Sequence, residues 1–86
     1  MLKISEAGTV NEIVTLKLEG RIVGPWVAEV RTACERFLSE HRALQLDLAE
    51  VSFTDENGTA AIAALKSRGV TLANCSRFVA EQLKNA

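Results

Sequence analysis

From Ile13 to Arg21 apolar and polar residues alternate: Val14, Leu16 and Leu18 fall on one side, Thr15, Lys17 and Glu19 on the other. A period of two is that of a half-buried strand. Leu2 and Ile4 also alternate with polar neighbours and predict a first short strand. Glu6 to Asn11, which contains Gly8, then reads as the turn of an antiparallel hairpin. After Gly24-Pro25 the period changes. Trp26, Val30, Ala33, Cys34, Phe37, Leu38 and His41 recur at helical spacing, with Glu29, Arg31, Glu35, Arg36 and Glu40 mainly opposite. Pro25 suits a first helical position, where a missing N–H costs nothing. The spacing predicts an amphipathic helix of roughly four turns that includes His41.

Leu44, Leu46 and Leu48 predict a third strand. Val51 and Phe53 break the parity set by the leucines, which predicts a bulge or irregular strand end near Glu50. Thr59 to Lys66 is alanine-rich and predicts a second helix, with Gly69 as its stop. Val70, Leu72 and Cys75 suggest a fourth strand. Ser76 can cap a last helix in which Val79 and Leu83 sit four apart. The order is β-β-α-β-α-β-α. Strands alternating with helices imply an α/β fold with right-handed crossovers, here a four-stranded mixed sheet and three helices.

Eighty-six residues allow one domain, 1–86, with a small core. Hydrophobic residues make up 48% and charged residues 24%, which fits a globular chain. The formal net charge of −1 argues against nucleic acid as the main partner, since phosphate binding needs a basic surface. Arg31, Arg36, Arg42, Arg68 and Arg77 are scattered and read as a solvated surface. No apolar run approaches a membrane span, and the N-terminal residues lack the apolar core of a signal peptide. Cys34 and Cys75 lack any metal or redox spacing, so they read as small packed hydrophobes of a reduced, cytoplasmic protein.

Catalytic readings find little support. Cys34 and His41 are seven residues apart, two helical turns or ~10 Å. His41 is the sole histidine. Of the acids Asp47, Glu50, Asp55 and Glu56, only the last two lie close, too few for a cation site. Trp26 reads as a packing residue. The expectation is a non-enzyme with no cofactor and no metal.

The stretch LQLDLAEVSFTDENGTAAIAAL runs from a strand through an acidic turn into a helix. In alternating α/β folds, partners bind beyond the carboxyl ends of strands, near helix N-termini. Asp55 or Asn57 can cap the helix, and Glu56 suits its positive end. Gly58 permits either an unusual backbone angle or a close approach by another chain. On these residues alone, the plainest reading is a well-capped turn.

The same stretch resembles the signature of STAS domains, named for sulphate transporters and anti-sigma factor antagonists. Their usual pattern is LDLS-x-V-x-F, then D-S-S-G or D-[ST]-x-G, then a helix of small and apolar residues. Leu46, Asp47, Leu48, Val51, Phe53, Asp55 and Gly58 match position by position. Val14 to Arg21 resembles the family's second strand, and Gly69 to Ser76 its last strand and turn. The family usually continues into a longer final helix than Glu81 to Ala86 supplies.

The resemblance implies a non-catalytic, bacterial, cytoplasmic regulator that binds a protein. The partner would be a GHKL-type anti-sigma factor or serine kinase. The partner-binding residues would be Asp55, Glu56, Asn57, Gly58 and Thr59, beside the exposed face of the following helix. In bacterial antagonists the serine before the glycine is phosphorylated by the partner kinase. Asn57 stands at that position and Glu56 precedes it, and neither accepts a phosphate. Ser52, Thr54 and Thr59 are nearby hydroxyls at other positions. Asn57 would hold the domain binding-competent, whereas Glu56 would act as a weak mimic of the modified state; the first is favoured, because the charge is smaller and one position away. STAS-like proteins also serve as accessory subunits of lipid-transport ABC ATPases and in stressosome-like scaffolds, which are the alternatives. The oligomeric state is not readable from the sequence.

Overall fold

A computed structural model of the chain describes residues 2–84; Met1, Asn85 and Ala86, the ends of the 1–86 domain, lie outside them. The elements are β1 (Leu2–Val10), β2 (Ile13–Ile22), α1 (Trp26–Leu38), β3 (Ala43–Thr54), α2 (Glu56–Ser67), β4 (Thr71–Ala73) and α3 (Arg77–Lys84). They form one four-stranded sheet in the order β1-β2-β3-β4. β1 and β2 pair antiparallel, while β2–β3 and β3–β4 are parallel. This is the mixed sheet with three helices that the periodicities predict.

The core lies between the sheet and its helices. Val14, Leu16, Leu18, Leu44, Leu46 and Leu48 point inward against Val30, Cys34, Ile62 and Leu65. Their alternation partners Thr15, Lys17, Gln45 and Asp47 stay half-exposed. Trp26 is half-buried against this core, as a packing residue would be. Both cysteines are free thiols. Burial pushes the Cys34 thiol up to about 11, so it packs as a hydrophobe.

β3 carries two extra residues relative to β2. One lies between Asp47 and Glu50, opposite Lys17 and Glu19. This is the predicted bulge. The second, between Val51 and Phe53, has no counterpart in the sequence reading. Each shifts the inward parity by one, so Leu48, Val51 and Thr54 all face the core at intervals of three. The Asp47 carboxylate accepts the Ala49 N–H at 3.0 Å across the first bulge.

The ends of β1, α1 and β4 differ from expectation. Glu6 to Asn11 is mostly strand, not turn. β1 runs to Val10, Gly8 follows a bulge, and the reversal is the two residues Asn11 and Glu12 between paired Val10 and Ile13. Asn11 (φ 52°) and Glu12 (φ 67°) both adopt the left-handed conformation that two-residue hairpins require. The sequence hides this because β1 is exposed beyond Ser5, so alternation is not enforced there.

α1 stops at Leu38, so His41 is not on the helix. His41 (φ 58°) is the left-handed terminating residue. Its N–H donates to Leu38 O, and the Arg42 N–H to Phe37 O. This is the pairing that glycine usually permits. β4 ends at Ala73, which leaves Cys75 beyond it.

Two stop and start signals act as read. After α2, Gly69 (φ 96°) donates to Lys66 O and Val70 to Leu65 O. Ser76 Oγ accepts the Val79 N–H at 3.2 Å at the start of α3.

Candidate functional site

The second helix begins three residues earlier than its alanine content suggests, at Glu56. Glu56, Asn57 and Gly58 are therefore its first turn. Asp55 is the N-cap, extended at φ −82° and ψ −178°. Asn57, the other candidate, is not the cap. Asp55 Oδ1 accepts the Gly58 N–H at 2.7 Å, and Oδ2 accepts the Gly24 N–H at 3.0 Å. One carboxylate thus ties the start of α2 to the loop before α1. The N–H of Gly24, then that of Gly58, holds the carboxyl below its ordinary value, because both bonds favour the charged form.

Gly58 is buried, and its role is contact, not an unusual φ. A Cβ there would lie 2.5 Å from Ile22 O and 3.1 Å from Ile22 Cγ2. The close approach is made by β2 of the same chain. Ile22 O also accepts the Asp55 N–H at 3.2 Å. Beneath the turn, Thr54 Oγ1 and Thr59 Oγ1 share a buried hydrogen bond of 2.8 Å. Thr59 is 5% exposed, so its hydroxyl satisfies Thr54 and does not reach solvent.

The five residues singled out in the sequence therefore divide. Gly58 and Thr59 are interior, Asp55 is half-buried and engaged, and Glu56 and Asn57 are exposed side by side. Neither Glu56 nor Asn57 has a side-chain partner among the described residues. Beside them runs an open groove of about 720 Å³, lined by Phe53, Thr54, Glu56, Thr59, Ala60 and Gln82. Phe53 stacks on Phe78 with centroids 5.5 Å apart, and the Arg21 guanidinium lies 5.2 Å from the Phe53 centroid. Phe53 was read as a parity break and as a position of the family signature, not as a groove residue, and Gln82 not at all. A lone aromatic and a glutamine on separate elements give no sequence signal until α3 is placed against α2.

Asp47 lies apart from this turn. It accepts hydrogen bonds from Ala49 N and from Asn74 Nδ2 at 3.2 Å, which lower its pKa. Among the described residues, no three His, Cys, Asp or Glu side chains converge as metal ligands. No described helix is long and apolar enough to cross a membrane.

With 98% of the chain aligned, this arrangement superposes on a solved anti-sigma factor antagonist, SpoIIAA in its unphosphorylated form, at a TM-score of 0.73; 84% of that chain is covered, at 15% identity. The fold is the STAS fold. A second match covers 83% of the chain: a crystal structure of Mglu, TM-score 0.59 and 27% identity, in which the aligned part is 18% of the whole. No family model and no curated protein matches the sequence. At such identities the likeness to SpoIIAA is one of backbone architecture.

Proposed function

We propose that the chain is a non-catalytic, protein-binding regulatory domain of the anti-sigma factor antagonist type. One observation carries the reading. The Asp55 carboxylate is spent on the backbone of Gly24 and Gly58, and this presents Glu56 and Asn57, unpaired, on a rigid first turn. A first turn held from two sides loses little freedom on binding, so it serves recognition better than a mobile loop. Asp55, Gly58 and Thr59 build the display, and Glu56, Asn57 and the Ala60 face of α2 touch the partner. Small side chains on that face let a partner backbone come close.

The partner is an anti-sigma factor or serine kinase of the GHKL ATPase class in a bacterial cytoplasm. SpoIIAA is described in an unphosphorylated form, which implies a phosphorylated counterpart for that protein. Here Asn57 stands where the resemblance places the acceptor serine. It is neutral and cannot carry a phosphate of about −1.5 to −2 charges, so the domain stays binding-competent.

The test is capture from lysate of the source organism with wild type, Glu56→Lys and Asn57→Asp, read by mass spectrometry. Recovery of a GHKL-class ATPase by the wild type, and its loss in either variant, supports the reading. With that ATPase and ATP, Asn57→Ser should gain a phosphate that the wild type does not. A partner retained equally by both charge variants would move the working surface elsewhere. Recovery of an ABC ATPase would reassign the domain to transport.

A further inference from the structure

β1 has a neighbour on one side only. It is the outer strand of the sheet, so the backbone groups along its far side have no ladder partner. The opposite edge, β4, is three residues long, whereas β1 has nine. The bulge between Glu6 and Gly8 leaves residues 2 to 6 as its regular stretch.

The helical layer does not close over this stretch. α1 packs on β2 and β3. Between α1 and β1 lies an open groove of about 370 Å³, lined by the apolar Ile4, Leu16, Ala33 and Phe37 and by polar residues that include Glu6, Glu29 and Arg36. Ile4 is half-buried there. An unpaired strand edge and an unfilled groove with an apolar floor at Ile4, Leu16, Ala33 and Phe37 thus lie side by side, and a single added strand would meet both.

We propose that a second copy of this chain supplies that strand, β1 against β1 antiparallel, giving a continuous sheet twice as wide. Charge decides the register. A two-fold axis normal to the sheet pairs residues of equal parity, so each register has one residue on the axis. Lys3 on the axis sets Lys3 against Lys3, and Glu6 on the axis sets Glu6 against Glu6. Like charges directly opposite are destabilising. Ser5 on the axis sets Ile4 against Glu6. Ile4 on the axis sets Ile4 beside Ile4 over the two grooves, Lys3 opposite Ser5 and Leu2 opposite Glu6, while Lys3 keeps its own cross-strand neighbour Glu19. Of these four registers only the Ile4-centred one brings the two Ile4 side chains together, and it pairs no like charges; the Leu2 that it sets opposite Glu6 is already buried in its own copy.

A formal net charge of −1 per copy offers little long-range repulsion. Pairing over this stretch, with side chains on both faces, covers on the order of 1,000 Å² in total, the low end for a specific interface. The dimer is therefore weak and reversible. It leaves Glu56 and Asn57, which follow β3, outside the contact.

Sedimentation equilibrium of the full chain tests this across roughly 1 to 500 µM. A dimer with a Kd of roughly 10–100 µM is expected. Ile4→Lys should raise that Kd at least about tenfold, with circular dichroism reporting that it stays folded. Cysteine placement gives a second, register-specific readout in a Cys75→Ser background. Ile4→Cys should cross-link to a covalent dimer on mild oxidation. Lys3→Cys, opposite Ser5 and on the other face, should not. A monomer at every concentration overturns the proposal. So does a dimer indifferent to Ile4→Lys, or equal cross-linking from positions 3 and 4.

Discussion

The chain reverses tightly at the β1–β2 hairpin and at the β3–α2 junction, and the two are held by opposite means. The hairpin is local: Asn11 and Glu12 accept left-handed backbone angles, and the strands pair directly on either side. No residue from Thr54 to Thr59 has a positive φ. The junction is held by groups remote in sequence, including Gly24, 31 residues from Asp55, and the carbonyl of Ile22. A local reversal tolerates change because little else depends on it. A junction built from remote contacts transmits any change to β2 and to the loop before α1. The exposed first turn of α2 is therefore tied directly to β2 and to the loop before α1.

Gly58→Ala attacks that tie most directly. Alanine would gain about 1 kcal/mol in helix propensity, yet its Cβ would meet a backbone carbonyl. A net loss on the order of 2–4 kcal/mol in urea unfolding is expected. A neutral or stabilising result would mean that Ile22 yields freely, and the contrast with the hairpin would collapse.

The hydroxyl pair gives a finer test. Thr59→Val leaves the Thr54 hydroxyl buried without a partner, at a cost of about 1–2 kcal/mol. Adding Thr54→Val removes the orphan and should recover much of the loss. Additive losses in the double variant would show that the two hydroxyls are not coupled.

Acid should loosen the junction and spare the hairpin turn. Asp55, Asp47 and Glu35 are all held below their ordinary values, Asp55 by Gly24, Asp47 by Ala49 and Glu35 by the Arg68 guanidinium. As pH falls toward the unfolded values, 3.8 for Asp and 4.5 for Glu, the unfolded chain takes up protons before the folded one. The stabilisation is thus full above those values and is lost as pH falls through the lower folded ones. Asp55→Asn keeps an oxygen for one N–H but not for both. It should lower the neutral-pH melting temperature on the order of 5 °C and flatten the acid limb. An unchanged acid limb would remove Asp55 from the set of groups that drive acid unfolding.

The smallest effect belongs to the hairpin. Glu12→Gly places glycine where φ is 67° and should stabilise by up to about 1 kcal/mol. Neither the pH profile nor partner capture should change. Altered binding would mean that the two reversals communicate.

The same contrast explains what was legible. Val14, Leu16 and Leu18, the stop at Gly69 and the cap at Ser76 depend on near neighbours, and all three were readable. The bulge near Glu50 announced itself because Val51 and Phe53 broke a parity that the leucines had set. The second bulge did not, since locating it requires knowing that Gly20 and Arg21 stand opposite. Beyond Ser5 the edge strand buries no side chain to enforce a pattern, so β1 was read too short. His41 fitted the helical spacing by coincidence and proved to end the helix. At the site, the acidic turn and its helix stood out, but not the division of labour among five adjacent residues.

By itself, the sequence determined the element types, their order, the antiparallel start and parallel continuation of the sheet, and the place where a capped helix follows a strand. These rest on periods of two and of three to four residues and on caps a few residues long, all interactions between near neighbours. The tertiary structure alone decided that Gly58 and Thr59 turn inward, that Asp55 is divided between two helix entrances, and that Glu56 and Asn57 are left facing out. Those outcomes depend on where a carbonyl of β2 and an amide before α1 lie in space. Chain positions more than thirty residues apart carry no periodic trace of that distance.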